Sequence, residues 1–77
     1  MSESGQAATG TPDPHYNLVS VLYHALEGGS TIDGYINDAR GTGDDELADF
    51  FEQVRQGYTR TADQAKQLLV ARVEHEH

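Results

Sequence analysis

Apolar residues along the chain fall on two long stripes parted by a short run of glycine and acid. Leu18, Leu22, Ala25, Gly29, Ile32, Ile36 and Ala39 follow one another at alternating spacings of four and three. That rhythm keeps one face of an α-helix apolar turn after turn, and it predicts a first helix over about residues 14–40. After "RGTGDD" the rhythm resumes in Leu47, Phe51, Val54, Tyr58, Thr61, Ala65 and Leu68, with Phe50, Ala62 and Leu69 widening the stripe. A second helix is therefore predicted over about residues 45–73. No stretch shows the strict alternation of a half-buried strand, so the fold class expected is all-α.

Local chemistry places the ends of these helices. Asp13 can cap the first helix, and Pro14 at its first position has no amide hydrogen to leave unsatisfied. Gly41 is expected to take the left-handed conformation that ends it. Asp44, Asp45 and Glu46 then favour the start of the second, where the helix dipole welcomes negative charge. A connection this short makes the two helices antiparallel neighbours. Ahead of them, "MSESGQAATGTPDP" contains no aliphatic side chain larger than Ala after Met1. Residues 1–12 are therefore expected to form a disordered tail, leaving residues 13–74 as the helical hairpin.

Two helices alone bury too little apolar surface to offset the entropy of ordering them. The missing burial is expected from a second copy, two hairpins pairing about a two-fold axis into a homodimeric four-helix bundle. The stripes would supply the seam: Leu18, Leu22, Ala25, Ile32, Ile36, Leu47, Phe51, Val54, Tyr58, Ala65 and Leu68. Three glycines in the first helix, Gly28, Gly29 and Gly34, each weaken it by about 1 kcal/mol relative to Ala. Gly28 and Gly29 lie on or beside the seam, about as far before the loop as Tyr58 lies beyond it. Tyr58 is thus expected to fill the gap over Gly29.

Charge narrows the partners. With 5 Lys and Arg against 13 Asp and Glu, the 77-residue chain carries a net charge of −8. It has no cluster of cations to neutralise phosphates, so neither nucleic acid nor an anionic membrane surface is an expected partner. No run approaches the roughly 18 apolar residues of a membrane span, and the N-terminus lacks the basic-then-apolar order of a secretory signal, so a cytoplasmic location is expected. The absence of cysteine removes disulfides and thiolate chemistry and leaves only carboxylates and imidazoles as metal ligands.

The stretch "ALEGGSTIDGYINDARGTGDDELADFFEQVRQGYTRTADQAKQLL", residues 25–69, resembles one half of a ferritin-like bundle of the rubrerythrin branch. In that family each half supplies a Glu from its first helix, within a Gly-Glu-Ser-like stretch, and a Glu-x-x-His from its second, and two halves enclose a di-iron centre. The resemblance sets "GGS" at 28–30 on the first-helix motif, so Gly29, or Ser30 after a one-residue slip, stands where the ligand Glu would be. Phe51 and Glu52 match the Phe-Glu that precedes the second motif, which sets Tyr58 and Thr61 on its Glu and His. None of these side chains replaces a carboxylate or an imidazole as a ligand to a divalent ion. Gly29, Tyr58 and Thr61 are thus expected to be vestigial ligand positions, with no metal or cofactor.

The remaining chemistry is sparse. His24 and Glu27 form an i, i+3 pair expected on the face opposite the seam. The acids at 44–49 lack the spacing of a calcium loop, "EHEH" at 74–77 sits at a terminus, and "GTG" lacks the length and the Lys of a phosphate-binding loop. No catalytic residue is assigned. The function expected is a noncatalytic ferritin-like module for dimerisation and interaction with some other protein. The alternative is a metal-binding ferritin-like oxidoreductase or iron-handling protein with a rearranged site, pairing Tyr58 with Glu52 or Glu27. A third reading is a small apolar ligand held where the metals would be.

Overall fold

The computed structural model describes residues 13–75, and the tail expected over residues 1–12 lies outside them. The chain forms an antiparallel helical hairpin of α1 (Pro14–Gly41) and α2 (Asp45–His75). At the start of α1 the Asp13 carboxylate accepts the Tyr16 amide hydrogen at 2.9 Å, and Pro14 occupies the first turn. Both features follow from the four amides that a helix start leaves without internal partners.

The turn corrects one expectation. Gly41 does not take the left-handed conformation; α1 continues through it, and the residue with positive φ is Gly43, at 76°. The Asp44 amide donates to the Ala39 carbonyl at 2.9 Å and the Gly43 amide to the Arg40 carbonyl at 3.0 Å. This pair of bonds closes a helix end through a left-handed residue that is usually glycine. Thr42 tightens the same turn, its hydroxyl donating to the Ala39 carbonyl at 3.1 Å. Asp44 then caps α2, its carboxylate accepting from the Leu47 amide at 3.2 Å, and Asp45 and Glu46 occupy the first turn.

The residues buried between the helices are Ala25, Ile32, Ile36 and Ala39 from α1 and Ala48, Ala62 and Ala65 from α2. Leu18, Leu22, Phe51, Val54 and Leu69 are half-buried around them. The α1 stripe packs as its spacing predicts. The α2 stripe is turned by about one residue: Ala48, Ala62 and Leu69 lie inward, whereas Leu47 and Leu68 are 41% and 44% exposed and Thr61 is exposed too. The reason is size, because alanines let the two backbones approach closely, and the larger side chains beside them are left on the flank. Periodicity could not choose between two adjacent stripes that are both apolar.

Candidate functional site

The middle of the hairpin is built around Tyr58. Its ring lies flat over Gly28, where a Cβ would stand only 2.7 Å from Cε1 and Cζ, while its own Cβ comes within 3.9 Å of a Cβ placed at Gly29. The gap expected over Gly29 is therefore filled one residue earlier, at Gly28. Tyr58 remains 36% exposed, so the ring is wedged between the helices rather than sealed in.

The vestigial ligand positions divide accordingly. Gly29 and Tyr58 face each other across the hairpin, and Thr61, one turn beyond Tyr58, points out of it. On one side of Tyr58 an open cleft of about 270 Å³ runs between the ring and His24, Glu27, Gly28, Thr31 and Tyr35. His24 and Glu27 are exposed, as expected of a surface pair, and both also border that cleft. The His24 ring meets the Tyr23 ring edge-on at 5.4 Å. Behind Tyr58 a second cleft of about 200 Å³ is bordered by Leu26, Gly29, Thr59, Asp63 and Lys66.

Glu52, the other carboxylate considered beside Tyr58, is committed elsewhere. It accepts from Arg40 across the hairpin at 2.8 Å and from Arg55 one turn on at 3.1 Å, and Arg55 also lies 3.5 Å from Asp33. The hydrogen bond from Arg55 chiefly holds the Glu52 carboxyl below its ordinary 4.5; the charges of Arg55 and Arg40 add to this and desolvation opposes it. This four-residue network was missed in the sequence, although opposite charges on flanks of facing helices were the available signal.

The hairpin consequently has two unlike faces. Tyr35, Asp38, Leu47 and Phe51 border one shallow groove of about 290 Å³, with the Tyr35 and Phe51 rings 5.7 Å apart and the Phe50 ring tilted against Phe51 at 5.8 Å. Residues seven apart continue each helix's side of this face as Val21, Gly28 and Tyr35 on α1 and Leu47, Val54, Thr61 and Leu68 on α2, all uncharged. The opposite face carries Asp33, Arg40, Glu52, Arg55 and Lys66, with apolar Val19, Leu26 and Val73 toward its open end.

Among the described residues no three His, Asp or Glu side chains gather as metal ligands, and no helix is long and apolar enough to cross a membrane. The hydroxyl, imidazole and carboxylate around the Tyr58 cleft are not assembled as a nucleophile with its base. Compared with protein-family models, curated proteins and solved structures, the chain matches none.

Proposed function

We propose that this chain is a noncatalytic association module, a ferritin-like half-bundle that pairs with a second copy into a four-helix bundle and whose metal-ligand positions, Gly29, Tyr58 and Thr61, no longer hold ligands. One observation carries the reading: five of the seven residues buried within the hairpin are alanines, while Leu47, Phe50, Leu68 and Tyr35 lie 41–55% exposed. Burial of large apolar side chains is the dominant favourable term in folding. A helix pair whose buried interior is mostly alanine, with Leu47, Leu68, Phe50 and Tyr35 left outside, is incomplete until something covers them. The filling of the Gly28 hollow by the Tyr58 ring supports the noncatalytic half of the reading, because aromatic packing stands where a ligand carboxylate would otherwise project. The acidic remainder of the surface is then free to engage a protein partner.

Sedimentation equilibrium together with elemental analysis of protein purified without chelator tests this. Two chains per particle and no stoichiometric metal are the expected result; a monomer at tens of micromolar would overturn it. A second reading, metal binding through a rearranged site, has one observation in its favour, since Glu27 and His24 border the same cleft as Tyr58. About two metals per dimer would establish that reading instead.

A further inference from the structure

We propose that the second copy docks on the face of the hairpin opposite the ion-pair network, with Leu47, Phe50, Val54 and Leu68 of α2 and Val21 and Tyr35 of α1 covered by the same residues of the partner copy. This rests on the dimer proposed above and specifies which of two candidate faces forms it. Both faces carry exposed apolar residues, so exposure alone does not decide. Charge and continuity do.

On this face the rows Val21, Gly28, Tyr35 of α1 and Leu47, Val54, Thr61, Leu68 of α2 hold no charged side chain, and the charges beside them, Asp38 at the groove and Arg60 beyond Gly57, stand at its edges. On the opposite face the loop half holds the Asp33–Arg55–Glu52–Arg40 network, and covering it would strip water from four ions whose pairing is already satisfied at the surface. The apolar residues there, Val19, Leu26 and Val73, reach only half the length.

Area agrees with a second copy as occupant. A strip two helix diameters wide and as long as α1 covers roughly 800 Å², the amount each partner gives to a stable interface of standard size. Self-pairing also needs a patch that tolerates its own image. A chain of net charge −8 meets that condition best where its charges are confined to the margin, as Glu27 and Asp38 are beside the rows of this face.

The test compares two residues of similar exposure on opposite faces, Phe50 at 55% and Leu26 at 51%. Phe50→Glu should raise the dimer dissociation constant by at least about a hundredfold, the effect of replacing a covered aromatic anchor with a charge. Leu26→Glu should change it by less than about threefold, as rim substitutions do. Because Phe50→Glu could also unfold a chain that needs its partner, a second measurement uses the absence of native cysteine. Thr61→Cys should alkylate more slowly as protein concentration rises through the dimerisation range, whereas Asp63→Cys should alkylate at one rate throughout. A stable dimer that is sensitive at Leu26 and protected at position 63 would overturn the choice of face and leave the dimer standing. A wild-type monomer would overturn both.

Discussion

The ring of Tyr58 occupies the volume that a side chain at position 28 would need, with the Gly28 Cα hydrogen replaced by any larger group meeting ring carbons at 2.7 Å. Gly28 is therefore retained for space, and Gly34, with nothing within 4 Å of its Cβ position, is not. Each should gain about 1 kcal/mol of helix propensity on changing to Ala, but at Gly28 the ring must first leave its seat, and overpacking of that kind costs about 1–3 kcal/mol. Gly34→Ala should raise the melting temperature and Gly28→Ala should not. The two variants should differ by at least about 1 kcal/mol in denaturant titrations at one protein concentration. Equal stabilisation by both would show that Tyr58 does not rest on Gly28.

The turn offers a second contrast, between Gly41 and Gly43. Only Gly43 has positive φ, so a Cβ there is strained whatever the surrounding space, while Gly41 is helical and open. Gly43→Ala should destabilise by roughly 1–2 kcal/mol, the cost of holding an L-residue in the left-handed region. Gly41→Ala should be neutral or slightly stabilising. Paired urea titrations decide, and a larger loss at position 41 would contradict the turn described.

Helix boundaries were legible because capping chemistry is local: Asp13 with Pro14, and Asp44 with Asp45 and Glu46, act through amides within a turn of themselves. The inward stripe of α1 was legible for a related reason, since Ile32 and Ile36 have no equally apolar neighbour to compete with them. On α2 two apolar stripes lie side by side, and nothing in their spacing says that Ala48 rather than Leu47 turns inward. That choice is made by how closely two backbones approach, a property of the pair. The same limit applied at the centre, where the spacing brought Tyr58 to the glycines but not to Gly28 over Gly29.

Glu52 gives a pH signature. Its carboxyl is held below 4.5, chiefly by the hydrogen bond from Arg55, so the folded state favours the ionised form. A lowered folded pKa contributes stability that is fully present above the unfolded value and is lost as pH falls through the folded one. Wild type should therefore exceed Glu52→Gln in melting temperature at neutral pH. The gap should begin to close as pH falls past 4.5 and vanish once the folded carboxyl is protonated. High salt should narrow the gap at neutral pH as well, because the partners are exposed. A gap independent of pH from 7 to 3 would mean that the arginines do not hold the carboxylate.

The resemblance to a ferritin-like half-bundle can be tested by restoring what it says is missing. In the combination Gly29→Glu, Tyr58→Glu and Thr61→His, the first two carboxylates would face each other across the hairpin, where the Cβ positions are 3.9 Å apart. Without a cation, two carboxylates that close repel, so the apo variant should be less stable than wild type. A divalent ion removes that repulsion and binds only the folded state, so at 100 times its dissociation constant it should restore about 2.7 kcal/mol. The imidazole introduced at position 61, an exposed position in the row of Leu47, Val54 and Leu68, lies on the proposed docking face rather than inside the hairpin. It would therefore complete the site only when a second copy covers that face, and metal binding should strengthen with protein concentration. Cobalt absorption and the metal-dependent melting temperature read this directly. A variant that folds, dimerises and stays metal-free would show that Gly29, Tyr58 and Thr61 are not ligand positions and that the likeness ends at the helices.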